Sequence, residues 1–539
     1  MSLGFRKSFG STPSGTISGG AVAQIIGVGI VDVHLTGGKP DYSFFRSKIK
    51  VHNNFASDVL SESFMGNVNW GHEVSLTVNK TPDLLTNVFA VIDRPGITAR
   101  RDNGSSGYQG GSGSSRPTTT SSRYKCSARA AKKRSSDLRP KARRFAVART
   151  SSAGRWRTPA THNSKKRRQA PVQEYEYEED ESGFDINEAF WDEEDEYEPD
   201  DLNLNEFGDA ANDPTIPSAY CHWVNHLGHA CIARTGVALA GIMGQMLTGR
   251  FINAWAELTG TCGKEHDDLI GSYDTLAELI AASANDERLY VQLPFTFTRF
   301  TGRALPLVSM RFHGCTISLA LNPLNKLIKV SHPDVVVVKT SDGQPISKSD
   351  VDAHLDVHAV FLDLEERKRF ARGQFSLLWE QLQVHEATYK GATIRAPLNF
   401  SHPSRCLIFM VQRKDLEEQN ETFEYSAPII GEDPVQFAKL IVNTTPRFAR
   451  EGTYFRKVVP LLCFPRTLKR NRFLYAMSFG LDPTTENTNG TLNFSRSDNC
   501  TLNLELHPDM ADSPVSLYVF NVSVNIVTFK RGLCNIEFA

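Results

Sequence analysis

No two of the nine cysteines form a C-x-x-C pair, and their number is odd. Close Cys pairs are what zinc ribbons and thioredoxin-like redox sites need, and a secreted disulfide framework needs an even count. The sequences around Cys406, Cys463, Cys500 and Cys534 are apolar or strand-like. Buried free thiols in a reducing compartment are therefore expected. Also missing are a phosphate-cradling G-x-x-x-x-G-K-[ST], an H-E-x-x-H and a nucleophile elbow. These absences remove the usual signatures of nucleotide hydrolysis, zinc proteolysis and acyl transfer. Acidic pairs such as Glu417/Glu418 lie in polar, loop-like surroundings and read as solvated surface. No catalytic residue, no metal and no cofactor is expected, and the chain reads as a non-enzyme.

Long apolar runs are scarce too. The opening MSLGFRKSFGSTPSGT has no compact apolar stretch of the kind a signal peptide carries, and Ala21 to Val33 is short and glycine-interrupted. Spanning a bilayer takes about 20 apolar residues, so the expectation is a soluble protein made in the cytoplasm. Helical periodicity is confined to a few places. Thr275 to Ala284 is one, and a short charged helix near 363–372 is another, with Glu365 facing Arg369 at i,i+4 and Gly373 ending it.

What is present is alternation. Val74, Leu76 and Val78 alternate with Ser75 and Thr77, and Leu502, Leu504 and Leu506 alternate with Thr501, Asn503 and Glu505. Near the end, Tyr518, Phe520, Val522, Val524 and Ile526 share one face, opposite Asn521, Ser523 and Asn525. Period two marks strands with one buried face. Turn-rich pieces such as Thr36–Pro40 and Asp482–Gly490 separate them, the pattern of an all-β sandwich or barrel. At 539 residues with 40% hydrophobic content, the chain is long enough for about three domains at roughly 150 residues each.

The formal net charge of −1 hides an internal split. Residues 103–122 are rich in Gly, Ser and Thr, a flexible composition. From 98 to 170 there are twenty Lys/Arg against two acids, and from 171 to 214 nineteen acids and no Lys/Arg. Low hydrophobicity with high charge predicts disorder, so 97–217 reads as an insertion into one loop of a compact β domain. Lys132, Lys133, Arg134, Arg143, Arg144, Lys165, Lys166, Arg167 and Arg168 are the candidate polyanion- or partner-binding residues. Four readings stand: pairing with the acidic block or acidic neighbours, nucleic acid, an anionic membrane, and a nuclear import signal.

Two histidine groups invite a metal reading. Cys221, His222, His226, His229 and Cys231 are clustered, but on an extended strand Cys221 and His222 point to opposite faces, as do His226 and His229. His354 and His358 share one side of a strand, without the H-x-H pair and later Glu and His of metal-binding jelly rolls. Both groups read as structural.

Several stretches resemble the major capsid proteins of nucleocytoplasmic large DNA viruses, of the chlorella-virus and iridovirus type. Gly29, Asp32 and Leu35–Gly37 precede Phe44–Arg46 and Asn54–Ala56 as in that family's opening. VSLTVNKTPDLLTNVFAVI resembles two of its strands, with Pro82-Asp83-Leu84-Leu85 where the family has G-D-L-I. VNHLGHACI, GRFINAWAELTG, LPFTFTRFTGRALPLVSMRFHGCTISL and FLDLEERKRFA follow in family order. LNFSHPSRCLIF, GTYFRKVVP, FLYAMSFGLDP, GTLNFSRSDN and the closing SLYVFNVSVNIVTFKRGLCNIEFA complete it, although the usual R-I-M-S-G ending is absent.

The resemblance implies two tandem eight-stranded antiparallel jelly rolls. It places a flexible arm at 1–19, a first roll at 20–363 interrupted by 97–217, a linker at 364–372 and a second roll at 373–539. The implied function is a homotrimeric, pseudo-hexagonal capsomer, expressed late, that tiles an icosahedral virion assembled in the host cytoplasm. Its implied partners are itself and minor capsid proteins, with the insertion reaching internal membrane or viral DNA. Alternatives are a transient assembly scaffold of the same fold and a jelly-roll carbohydrate-binding protein.

Overall fold

A computed structural model of the chain describes residues 53–101, 217, 219–260, 264–428, 432–469 and 471–538. The expected arm at 1–19 and nearly all of the charged segment, including Lys132 through Arg168, lie outside the described residues.

Among the described residues, thirteen strands precede residue 363. They begin with β1 (Phe55–Ser63), β2 (Glu73–Thr77), β3 (Leu84–Arg94), β4 (Ile97–Arg101) and β5 (Cys221–Trp223). Next are β6 (Ile232–Leu239), β7 (Ile242–Thr248), β8 (Glu287–Gln292) and β9 (Leu305–Pro306). The group ends with β10 (Cys315–Leu321), β11 (Ile328–Val330), β12 (Val335–Lys339) and β13 (Asp352–Leu362). One sheet runs β1-β13-β3-β8 with β9 added to β3; the facing sheet runs β2-β10-β6-β7.

Ten more described strands follow residue 373. These are β14 (Gln374–Tyr389), β15 (Thr393–Pro397), β16 (Pro403–Arg413), β17 (Val435–Val442) and β18 (Thr445–Glu451). After them come β19 (Tyr475–Ser478), β20 (Leu492–Asn493), β21 (Cys500–Leu506), β22 (Val515–Lys530) and β23 (Leu533–Ile536). One sheet runs β14-β22-β16-β19, with β20 and β23 attached, and the other runs β15-β21-β17-β18. Counting only the strands along these paths, each half pairs its first, eighth, third and sixth strands in one sheet. Its second, seventh, fourth and fifth make the other. The architecture is therefore one topology used twice.

Alternation sets the cores as the sequence implies. Val74, Leu76 and Val78 are buried, as are Leu502, Leu504 and Leu506. On β13, Ala353, Leu355, Val357 and Ala359 are buried while His354, Asp356 and His358 are half-buried on the other face. Strand β22 departs from expectation: both of its faces are buried along Val515–Asn525. The cause is a second layer of packing, described below.

Eight α-helices fill the connections among the described residues: α1 (Leu227–Cys231), α2 (Gly249–Thr259), α3 (Lys264–Ile270), α4 (Leu276–Ser283), α5 (Thr296–Arg299), α6 (Leu364–Arg372), α7 (Lys414–Glu418) and α8 (Val459–Cys463). Thr248 caps α2 by accepting from the Phe251 amide at 3.3 Å, and Gly260 ends it at φ 81°. Thr275 caps α4 by accepting from Glu278 N at 3.3 Å, which fits the T-x-x-E spacing. On α6 the expected Glu365–Arg369 pair is replaced by Glu365–Lys368 at 2.8 Å, one residue closer.

The turn before β3 does structural work beyond turning. Asp83 is 3% exposed. Its carboxylate accepts from Leu362 N at 2.9 Å and pairs with Arg367 Nε of α6 at 2.9 Å, while its own amide donates to Val360 O. One buried acid thus ties the end of β13 to the start of the connector between the halves.

Candidate functional site

The surface with the richest chemistry is the seam where the first sandwich lies on the second. It begins with an aromatic insertion. Trp379 of β14 is 1% exposed, and its indole N–H donates to Gly244 O of β7 at 3.0 Å. A side chain at Gly244 would begin 3.3 Å from that indole nitrogen, so glycine leaves room for the approach. Phe297 stacks on Trp379 with centroids 6.2 Å apart, and Phe295 stacks on Phe297 at 5.7 Å. Both phenylalanines come from the stretch just after β8.

Beside them, Thr296 hydrogen bonds in both directions. Its hydroxyl donates to Gln245 Oε1 at 3.0 Å and accepts from Glu380 N at 2.9 Å. The Glu380 carboxylate then meets three guanidiniums: Arg405 at 2.5 Å, Arg303 at 3.3 Å, and Arg299 in direct contact. Arg299 and Arg303 belong to the first sandwich, Glu380 and Arg405 to the second. Arg299 also lies over the Trp255 ring, 4.5 Å from its centroid. Burial, then repulsion from Arg405 and Arg303, pulls Arg299 down to about 9; burial, then Arg405, pulls Arg303 down to about 10. All three stay protonated at neutral pH. Removing the shared carboxylate from such a cluster strands buried charge, which costs several kcal/mol.

The outer face of β22 completes the seam. Phe251 of α2 meets Phe520 with centroids 5.6 Å apart, and Arg250 sits over Tyr518 at 4.4 Å while donating to Thr422 O at 2.6 Å. On the inner side of the same sheet, Phe409 stacks on Tyr475 at 5.2 Å and touches Phe455, which reaches Phe448 of β18. The apolar set Tyr518, Phe520 and Val522, which alternation marks as core, is therefore the set that receives the neighbouring sandwich. The polar set is buried as well, because Asn521 and Asn525 donate to the Gln383 and Gln381 side chains at 3.1 Å, and Ser523 donates to Gln381 O at 3.0 Å.

The cysteine–histidine group takes a different form from the extended strand expected. The strand stops at Trp223, and Asn225 then holds the loop by accepting from Tyr273 N and donating to Tyr273 O. His226 adopts φ 51° at the start of α1, which carries His229 and Cys231. His226 Nε2 accepts from Arg472 at 2.6 Å, and His229 lies 3.3 Å from the Asn253 amide. Burial pulls His222 down to about 4 and His229 to about 3, and pulls His226 well below its usual value. These are neutral histidines packed in a loop layer. Among the described residues, no group of three or more His, Cys, Asp or Glu is arranged to hold a metal. His354 and His358 lie on the half-buried outer face of β13, with Asp356 between them and His358 against Phe89.

The segment from 102 to 216 leaves and rejoins the fold at one place. Arg101, the last residue of β4, stands opposite Val335, and Cys221, the first of β5, opposite Val330. Both ends rest on the same β11–β12 connection.

Two family models cover most of the chain. The one described as large eukaryotic DNA virus major capsid protein matches residues 366–535, and the one described as major capsid protein N-terminus matches 43–107 and 203–363. The unmatched stretch between the last two falls inside the charged segment. The major capsid protein of Pyramimonas orientalis virus is 27% identical over 341 residues, covering 58% of this chain and 77% of that relative. The major capsid protein of Rana tigrina ranavirus is 23% identical over 314 residues, covering 53% and 67%. Among solved structures, the PBCV-1 virus capsid protein superposes with a TM-score of 0.59 at 16% identity, over 92% of this chain and 100% of that one. The Faustovirus major capsid protein gives 0.53 at 9% identity, over 94% and 96%. The shared fold is the double jelly roll.

Proposed function

Because the chain belongs to the major capsid protein family of large eukaryotic DNA viruses, we propose that three copies form a pseudo-hexagonal capsomer that tiles an icosahedral shell. The chain is a structural component of the virion capsid, and its work is mechanical. The observation that carries the finer reading is the strand order repeated in both halves. Two like blocks per chain in a three-fold ring supply six near-equivalent edges, which is what a near-flat lattice needs. The packed sandwiches and the buried seam make each chain a stiff unit.

In this reading the chain divides into an arm at 1–19, a first roll at 20–363 carrying the 97–217 insertion, a linker at 364–372 and a second roll at 373–539. Assembly takes place in the host cytoplasm, and no catalytic step is assigned. Minor capsid proteins and either internal membrane or viral DNA are the partners of the insertion. Its basic residues, Lys132–Arg134, Arg143, Arg144 and Lys165–Arg168, supply the attraction, and the acidic block at 171–214 competes for them. Purified full-length protein, measured by size exclusion with light scattering and by negative-stain microscopy, tests the capsomer. The expected result is a three-chain mass and hexagon-shaped particles. A single-chain mass at high concentration overturns the trimer.

A further inference from the structure

The sheets bury their inner faces, yet one end of the molecule keeps a broad apolar surface. Ile242, Met243 and Met246 of β7 are 41%, 49% and 40% exposed. β7 is the last strand of its sheet, and no further strand flanks it among the described residues. With Leu382 of β14, Ile536 and Phe538, these three line a groove of about 340 Å³ where the two sandwiches meet. Phe538 is 59% exposed there.

The apolar surface continues past the groove. Ile526, at 36%, prolongs the covered face of β22 beyond the edge of the first sandwich. Leu533 of β23 and Phe312 are exposed as well, and they adjoin, because Phe312 N donates to Gly532 O at 3.1 Å. The β6–β7 turn joins them through Ala240 N, which donates to Gly314 O at 3.2 Å. Large apolar side chains this exposed at one place mark a contact surface. Two of them are methionines, whose flexible thioethers fit an irregular partner.

The point where the described chain enters bears on what covers this surface. Its first strand begins at Phe55, opposite Leu362, the last residue of β13. From there a file of contacts leads to the patch. Phe370 of the connector packs edge-on to Phe375, which stacks on Phe529 at 5.2 Å. Phe529 is paired with Cys534, whose amide donates to His313 Nδ1 at 3.1 Å. The chain therefore enters at the end of the molecule that bears the exposed patch. Upstream of that entry, outside the described residues, is the apolar run Ala21–Val33, in which nine of thirteen residues are Ala, Val or Ile. It is too short to span a bilayer. Residues 34–54, which join it to β1, can reach up to about 70 Å.

We propose that Ala21–Val33 of the same chain lies in the β7–β14 groove and covers the apolar patch beside it. As an extended strand the run sets Ile26, Val28 and Ile30 on one side, toward the methionines, with Gly27 and Gly29 opposite. The tether keeps the run at a high effective concentration near its seat, which favours it over a free partner. The inference does not depend on the three-copy reading.

The test uses full-length protein with benzoylphenylalanine in place of Phe538 or Phe312, two exposed aromatic positions, and in place of Met65 as a control. Met65 is 67% exposed and lies beyond the far end of β1. After irradiation, denaturing electrophoresis separates contacts within a chain from contacts between chains, and peptide mass spectrometry locates them. The expected result is an adduct at one-chain mass, mapping to residues 21–33, from positions 538 and 312 and not from 65. Ile26→Asp/Ile30→Asp should lower that adduct about tenfold, because the seat then loses its tethered occupant. The same variant should raise the fluorescence of anilinonaphthalene sulfonate, which binds exposed apolar surface. An adduct at two-chain mass makes another copy the occupant and overturns the proposal. So does an adduct elsewhere in the same chain, an equal adduct from position 65, or no adduct at all. An unchanged adduct or an unchanged dye signal in the double variant overturns it too.

Discussion

The two sandwiches share a strand order and differ in what covers them. In the second, the sheet β14-β22-β16-β19 is packed on both faces, by its own partner sheet and by α2 and the post-β8 stretch of the first. In the first, among the described residues, no second sandwich lies on the outer side of the equivalent sheet, which carries half-buried residues such as Phe89 and His358. The same backbone plan therefore supports both a one-sided and a two-sided sheet. What differs is the residue type on the outer face and the presence of a neighbour.

That contrast can be broken most severely at Glu380. Glu380→Ala leaves three guanidiniums without their shared carboxylate and should lower stability by about 3–5 kcal/mol in denaturant titration. Asp93→Ala, which removes an exposed pair with Arg288 on the first sandwich's outer face, should leave the midpoint unchanged. A loss as large for Asp93 as for Glu380 would erase the distinction between the two faces. Next, Phe520→Ala should cost about 3–4 kcal/mol, because the ring is enclosed by Phe251, whereas Phe89→Ala should cost about 1 kcal/mol in the isolated chain.

Acid separates the sandwiches in a different way. His222 and His229, in the loop layer of the first, have folded values of about 4 and about 3, below the unfolded value near 6.5. A histidine whose folded value is depressed stabilises fully above the unfolded value. That stability is lost as pH falls through 6.5 toward 4 and 3. Between pH 6.5 and 5 the cost should be about 2 kcal/mol per histidine. Hydrogen exchange at pH 5 should show the α1–α2 region opening before β14–β22, and His229→Gln should flatten the pH dependence. Trp379→Phe, which keeps the stacking on Phe297 but leaves Gly244 O without its donor, should cost about 1–2 kcal/mol, less than Glu380→Ala or Phe520→Ala.

Much of this fold was legible in the chain because alternation is local. Val74 and Leu76 on β2, Val78 just past its end, and Leu502, Leu504 and Leu506 on β21 face the cores as their spacing implies, and Thr275 with Glu278 marks the start of α4. The seam was not legible, because it depends on contacts between residues far apart in sequence. Nothing near Glu380 announces Arg299 and Arg303, and the polar face of β22 looks solvent-directed until Gln381 and Gln383 are seen to satisfy Asn521 and Asn525. The cysteine–histidine group was misplaced for a related reason. The left-handed turn at His226 is set by Asn225 bonding to Tyr273, almost fifty residues away. Resemblance supplied the strand order that periodicity alone left open.

The buried acid at the β2–β3 turn has a consequence for how a shell built from this chain deforms. Asp83 grips the end of β13 through one oxygen and the connecting helix through the other, so the joint between the halves is a rivet and not a hinge. Where such a wall bends, twisting that joint means breaking both contacts of one buried carboxylate together. Flexing in such a wall should therefore be taken up between neighbouring tiles, leaving each tile rigid.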